Sequence, residues 1–493
     1  MRLQCLSATA RVTYTPPIWC HKKTRAFIDW VIPGTYQVYV PATCVCNERV
    51  SLFNRHLIDR KTQNYDEQYM DRCMKRFNKM HQVEQVERVK YSDVIKAYRG
   101  GKRARYVRAA EELRNGAMPD KETNIRMFVK VEKFPLDDPK PPRAIQARSP
   151  VFCLALATYL KPVEHWVYES LGRSRCFAKG LNQIQRAELA LEQWSEYEDP
   201  IAIMLDHSKF DSSVTVTHLK YTHKFYQRII PSRYLRYLNH KQINNKAITG
   251  GGIRYRVNGT RMSGDYDTAL GNSLLNYMCL FTYFGHEARY LIDGDDSVVF
   301  LERTRWEAKN KQMDLLEHCS RWGFTTKMEI SGELEGVEFC QAKYASSGVF
   351  MKEPWRALSR SNIGVKPFVG KIRQAYLAGK AQGLAMACPR TPLLYPIFKA
   401  ISESHGVKWY DDETRWNIDN GVDEGPPTQQ DRESFARLYN ISPTEQINIE
   451  AQVTRHVKAV VISDIIDYWR LTDIQDAAGY TGNVQPANRN KTD

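Results

Sequence analysis

Apolar and polar positions along this chain change period several times, and each change marks an element. Ile201-Ala202-Ile203-Met204-Leu205 is an unbroken apolar run, as expected of a short buried strand. Tyr290-Leu291-Ile292 and Val298-Val299-Phe300 are two more strand-forming runs. The Asp-Gly between them predicts a hairpin with Asp293, Gly294, Asp295 and Asp296 at its tip. "NIRMFVKVEKF" (124–134) alternates as a strand does until "PLDDPKPPR" breaks it. "YQVYVPA" (36–42) predicts one strand in an otherwise strand-like, irregular first 60 residues. Helical spacing predicts helices within 65–115 and 150–196, with "AELALEQWSEY" (187–197) amphipathic. Further helices are expected at 216–230, 268–284 and 309–323, the last stopped by Gly323. "GVEFCQAKY" and "GVFMKE" predict a second hairpin. Beyond about 355 the pattern is mainly helical, with a polar, Asn-rich, frayed end after Gly479. No internal repeat or long low-complexity linker interrupts the chain.

At 493 residues the chain is too long for one simple core, and about two to four subdomains are expected. Charge changes the picture more than composition does. The net charge is +15 and the pI about 9.2, which favours a polyanionic partner, most simply nucleic acid. The excess is uneven: "KAYRGGKRARYVR" (96–108) is very basic, whereas the chain beyond Asp411 is richer in acids. Eleven cysteines without regular spacing read as a reduced cytosolic protein. Cys20-His21 and Cys44-Val45-Cys46 do not match a usual zinc spacing. No apolar run approaches the ~18 residues of a membrane span, and "VFCLALATYL" (151–160) reads as a buried segment. The N-terminus lacks a signal-peptide core, so work at a membrane would need another factor to hold the protein there.

The hairpin tip poses the chemical question. A plain surface turn accounts for Asp and Gly there. A metal site also accounts for like charges gathered together, since hard oxygen ligands select magnesium or manganese. A second acidic cluster, "IAIMLDHSKFDSS" (201–213), puts Asp206 at the end of a strand and Asp211 after a short turn. Asp206 brought beside Asp295 and Asp296 would form a three-carboxylate cradle suited to two divalent ions in an in-line displacement. Between the clusters lies "RMSGDYDTALGN" (261–272), where Thr268 and Asn272 share a helix face and Ser263-Gly264 permits a tight backbone. Such groups can recognise a ribose 2′-OH, although a capped helix N-terminus explains the same stretch. Lys130, Lys133, Arg143 and Arg148 form a comb that could neutralise a triphosphate or simply a solvated basic face.

Taken in order, Asp206-x4-Asp211, SG-x3-T-x3-N and GDD, behind a basic segment, resemble the RNA-dependent RNA polymerases of positive-strand RNA viruses. "FVKVEKF", "DPKPPRAIQARSP", "FAKGLN", "SGDYDTALGN", "VEFCQ", "CNERVSLFNRHL" and "YRGGKRARY" resemble the tombusvirus-like group, over roughly residues 45–345. The resemblance implies an α+β right-hand fold with an antiparallel palm sheet and helical fingers and thumb. It implies fingers and fingertips in 1–200, palm in 201–225 and 262–354, a fingers insertion at 226–261, and thumb and tail in 355–493. Asp206, Asp295 and Asp296 would bind Mg2+, or Mn2+ in its place, and Asp211, Ser263, Thr268 and Asn272 would select ribonucleotides. Lys130, Lys133, Arg143 and Arg148 would line the nucleotide path, and Cys340 of "VEFCQ" would support the nascent strand. Lys327 is the candidate general acid toward pyrophosphate, with Lys343 not separable from it by sequence. Asp293 has no ligand role by resemblance, and Asp267 stands where related motifs carry Asn, with little functional effect expected. The implied partners are a single-stranded RNA template, nascent RNA and NTPs. Viral or host factors would recruit the protein to membrane-associated sites in the host cytoplasm. A reverse transcriptase and a non-catalytic RNA-binding protein are the rival readings. Asp211 argues against the first, where a bulky aromatic usually excludes the 2′-OH, and the ordered acids argue against the second.

Overall fold

The 201–205 run lies at the centre of a four-stranded antiparallel sheet. Its strands run in the order Arg289–Asp293, Asp296–Glu302, Pro200–His207, Thr326–Ser331. The structure is a computed structural model that describes residues 10–16, 26–30, 32–56, 65–366, 368–404 and 406–456.

The first three strands of this sheet are covered on both faces and read as continuous apolar runs, whereas Thr326–Ser331, at the edge, has no buried residue. Ile201, Ile203, Leu205, Ile292, Val299 and Leu301 pack into the largest core. That core is completed by the helices Glu67–Met80, Pro150–Ser170, Val216–Ile229 and Thr268–Phe284. Ala202, Leu291, Val298 and Phe300 face the other way, against the helix Gln183–Trp194 and a three-stranded sheet. That smaller sheet is formed by Glu338–Phe339, Ala342–Ala345 and Val349–Lys352. "FAKGLN" covers the outer edge of the central sheet: Ala178 N–H donates to Ile292 O at 2.9 Å and Ile292 N–H to Cys176 O at 2.9 Å.

A five-stranded sheet stands apart in the order Ala10–Tyr14, Arg254–Asn258, Asn244–Thr249, Ile125–Val129, Ala144–Ala147. It packs with Leu52 of the helix Val45–Arg55. The C-terminal helices Gly370–Met386, Leu394–Glu403, Gln429–Tyr439 and Pro443–His456 share a further core with Trp30. The fold is therefore mixed α/β. Among the described residues no helix is long and apolar enough to cross a membrane.

Several expectations shift. The 36–42 strand shrinks to Val38–Tyr39, and the 124–134 strand stops at Val129. Residues 45–55 are helical where strand or irregular chain was expected; the Cys44 thiol accepts from Asn47 N–H at 3.5 Å and caps that helix. Cys44 and Cys46 are buried there, and the Cys20-His21 pair lies outside the described residues. The single 309–323 helix is two, Arg303–Gln312 and Leu315–Arg321. Asp314 starts the second by accepting from Glu317 N–H at 2.9 Å. The segment after Gly479 lies outside the described residues.

Candidate active site

Register delivers the carboxylates. Ser297 stands opposite Leu205, so Asp296 and Asp206 come next on neighbouring strands. On its other side Asp206 has Lys327 as its direct antiparallel partner, and both side chains are exposed. Directly opposed residues project to the same face. Lys343 sits elsewhere, in the smaller sheet, with its ammonium 5.8 Å from the Tyr439 ring centroid. Asp293 pairs with Asp296, leaving Gly294 and Asp295 as the turn. Gly294 has φ +71° whereas Asp295 has no positive φ, the pattern of a hairpin turn with glycine at its first central position. A Cβ on Gly294 would meet nothing within 4 Å. The glycine is therefore required for its backbone angle, and the space above the turn is open.

The acids crowd one another. Burial first, then Asp211 and Asp206, push the Asp295 carboxyl above its ordinary range. Asp296 is pushed up to about 6, by burial first and then by Asp295, with Asp206 and Asp293 adding to it. Carboxylates in that condition suit a hard divalent cation, which removes the repulsion. Among the described residues no three His, Cys, Asp or Glu side chains are already drawn into a metal cage. An open arrangement fits magnesium, which is held by one or two carboxylates together with substrate phosphates.

A stability test follows from the Asp296 shift. Its pKa in the fold lies above the ordinary 3.8, so the native state holds that proton more tightly than the unfolded chain. Keeping the charged form then costs stability above about pH 6, and the cost disappears as the group protonates. Metal-free Asp296→Asn is expected to melt above the parent protein near neutral pH. The gap should begin to narrow as pH falls below about 6 and be gone near the ordinary 3.8, and a gap constant across that range would contradict the assignment.

Asp293 has another partner, Arg186 at 2.6 Å, whose guanidinium lies 5.5 Å from the Phe339 ring centroid. The next two residues after Phe339, Cys340 and Gln341, both have positive φ, 51° and 62°. A hairpin turn made this way without glycine stores backbone strain. It brings Cys340 into the surroundings of Asp293, Arg186 and Asp296.

On the side of Asp211, Asn272 Nδ2 donates to Asp211 Oδ1 at 2.6 Å, so the two residues form one unit. Ser263 Oγ bridges Gln146 N–H and Ala144 O, each at 3.2 Å. A Cβ on Gly264 would come within 2.8 Å of Ala147 Cα, so only glycine lets this loop lie against the Ala144–Ala147 strand. Thr268 also has a local role. Its one O–H is shared between Met262 O and Asp265 O, both at 2.9 Å, so it shapes the loop and meets a ribose 2′-OH only as an acceptor.

The cationic comb divides. Arg143 pairs with Glu132, and its pKa is raised by that bond first, with Asp295 and Asp211 adding to it. Lys130 pairs with Glu132 at 3.2 Å. Lys133 turns away: Nζ donates to Arg360 O at 2.6 Å, and burial first, then Lys380, lower its pKa to about 7. Arg148 is a correction of a different kind. Its side chain is 0 % exposed and pairs with Asp265 at 2.5 Å, so it cannot meet a triphosphate. Asp267 is likewise buried, 2.7 Å from Arg261, and lies in this ion network and not in a ribose pocket. Gln242 Nε2 links Asp265 at 2.9 Å and Asp267 at 2.8 Å.

Five residues near the acids escaped the sequence reading. Arg55 is one: burial first, then Arg143, lower its pKa, against the pull of Asp211, Glu132 and Asp295. Arg186, described above, is the second. The others are Ser273 and Asn276, which bond the turn from the Thr268–Phe284 helix, and His207, which bonds Asn276. Asn276 lies one i, i+4 step from Asn272 and His207 directly follows Asp206, and those spacings were available signals. Burial first lowers the His207 pKa to about 4, so the ring is neutral at pH 7.

Comparison with known proteins gives the family. The family model described as viral RNA dependent RNA polymerase matches residues 11–459. The chain is 30% identical over 386 residues to the RNA-directed RNA polymerase of Groundnut rosette virus (strain MC1), covering 73% of this chain and 45% of that protein. It is 30% identical over 393 residues to that of Oat chlorotic stunt virus (isolate United Kingdom), covering 71% and 51%. It is 29% identical over 398 residues to that of Tomato bushy stunt virus (strain Cherry), covering 75% and 48%. The chain thus spans about half the length of these curated relatives. With strand-end acids, a Gly-Asp turn and a bonded Asp211–Asn272 pair in one matched segment, the chain belongs to the viral RNA-dependent RNA polymerase family.

Proposed function

We propose that this chain is an RNA-directed RNA polymerase that copies the genome of a positive-strand RNA virus from NTPs, in a right-hand arrangement with the four-stranded sheet as palm. The observation that carries the reading is the register that sets Asp206 beside Asp296, with Lys327 on its far side. The family match supports the same reaction. Residues 1–200 and 226–261 would form fingers, 201–225 and 262–354 palm, and 355–493 thumb and tail. Asp206, Asp295 and Asp296 would hold magnesium, or manganese in its place, which when bound acidifies a 3′-hydroxyl and neutralises the leaving pyrophosphate.

The chain's own residues do the rest. Asp211, fixed by Asn272 through one carboxylate oxygen, keeps the other to accept from a ribose 2′-OH. Arg143 and Arg55, on the same side as Asp211 and Asp295, neutralise triphosphate charge. Lys327, across from Asp206, is placed to give a proton to pyrophosphate. The basic surface holds single-stranded template and nascent RNA. Viral or host factors would bring the protein to membrane-associated sites in the host cytoplasm.

The test is synthesis by purified protein on a short RNA template with NTPs or dNTPs and magnesium. Template-length product from NTPs alone supports the reading, and a preference for dNTPs contradicts it. RNA binding without synthesis by any nucleotide would favour a binding protein. Asn272→Ala is expected to cut NTP-over-dNTP discrimination by about tenfold, the worth of one charge-assisted hydrogen bond. Unchanged discrimination would remove Asn272 from the ribose site.

A further inference from the structure

A chain of hydrogen bonds behind the acids belongs to no role assigned so far. Asn276 Nδ2 donates to Gly294 O at 3.2 Å and to Asp295 O at 3.3 Å. Its Oδ1 therefore faces His207 Nε2, 3.2 Å away, and that nitrogen must carry the hydrogen. His207 Nδ1 is then left to accept from Thr326 Oγ1 at 2.8 Å. One turn earlier on the helix, Ser273 Oγ accepts from Gly294 N–H at 2.9 Å. The Asn276 amide cannot flip without setting its oxygen against both carbonyls of the turn, and those two bonds therefore fix the His207 tautomer. Both residues are buried, Asn276 fully, and the His207 ring packs 5.2 Å from Phe210 and 5.3 Å from Phe324 between centroids.

This chain of hydrogen bonds adjoins the site along its length. His207 follows Asp206, Thr326 precedes Lys327, and the carbonyls gripped by Asn276 belong to Gly294 and Asp295. These bonds go to the turn's backbone, so none of them uses a carboxylate oxygen that a cation would need.

We propose that His207 and Asn276 are positioning residues, which lock the Gly294-Asp295 turn to the strand carrying Asp206 and so set the spacing of the cation-binding carboxylates. The inference rests on the polymerase reading for the chemistry, and on the hydrogen-bond chain alone for the positioning. Buried polar groups that orient ligands are costly to replace, because the ligand loses its geometry while keeping its chemistry.

The test uses the full chain. His207→Phe keeps the ring between Phe210 and Phe324 but removes the donor, whereas His207→Gln offers an amide N–H in its place. Asn276→Leu removes the grip itself. Mn2+ binding is read from the signal of the free ion, alongside kcat, KM for NTP, RNA affinity and melting temperature. H207F and N276L are each expected to weaken Mn2+ binding and lower kcat by about 10- to 100-fold, with KM and RNA affinity nearly unchanged. H207Q should recover most of both. The H207F/N276L double variant should lose little more than the worse single one, since both break one chain. Mn2+ binding equal in H207F and H207Q overturns the proposal, as does a loss in H207F that RNA affinity and melting temperature share equally. Should H207F fail to fold, Thr326→Val removes only the far bond; a smaller loss of Mn2+ binding supports the proposal and no loss overturns it. Parent protein that makes no RNA, with the Mn2+ ranking intact, would sink the polymerase reading and leave the positioning standing.

Discussion

Asp295→Asn is expected to reduce RNA synthesis by on the order of a thousandfold or more while leaving RNA affinity nearly unchanged. The substitution keeps the shape of the side chain. The turn stays in place, because Asn276 and Ser273 hold its backbone and not its carboxylate. What is removed is one negative charge in a group of acids whose mutual repulsion already raises the Asp295 pKa, behind burial. A neutral amide removes both the repulsion and the reason for a cation to settle there. On the proposed function, RNA affinity would come from the basic surface of a chain with net charge +15, which the substitution leaves untouched. Filter binding and primer extension on the same preparation separate the two effects. Activity within tenfold of the parent would take Asp295 out of the cation site.

The second large effect is on stability and lies away from the acids. Asp267→Ala is expected to cost about 3–5 kcal/mol, because it strands Arg261 as a buried charge. The pair is 2.7 Å apart with side chains 0 % and 1 % exposed. Burial opposes ionisation of Asp267, but Arg261, His223, Gln242 and Tyr226 outweigh it and hold the carboxyl below its usual range. That balance depends on both partners. Removing the acid leaves Arg261 with no compensating charge at that distance, next to Arg148–Asp265, which Gln242 ties to the same network. The sequence reading weighed Asp267 for function alone; its buried pairing with Arg261 makes the expected effect one of stability. Thermal or urea unfolding measures it; a midpoint indistinguishable from the parent's would show that water reaches Arg261 and relieves it.

Unbroken apolar runs made three strands of the central sheet legible, 201–205 and the two flanking the Asp-Gly turn, whereas Thr326–Ser331 was not foreseen, because this edge strand has no buried residue and no apolar run. The Asp211–Asn272 contact was legible only through family resemblance, because no local pattern links residues 61 apart. Arg148 shows what stays hidden. Its sequence position marks a cation, but its partner Asp265 lies 117 residues away, and burial decides whether a cation serves a ligand or the core. The Val45–Arg55 helix was obscured for a local reason: valine and cysteine are indifferent helix formers, and the thiol cap has no common signature. The break at Met313–Asp314 was missed because an Asp cap inside a polar helical pattern looks like another surface residue. His207 and Asn276 escaped because buried polar relays leave no periodic trace.

The central claim is that these acids serve template-directed synthesis of RNA. The most direct measurement is to sequence the product that the purified chain makes from a defined single-stranded RNA with all four NTPs and magnesium. The expected product is a strand complementary to the template along its length. A product whose sequence ignores the template, or synthesis that persists when the template is withheld, would contradict it.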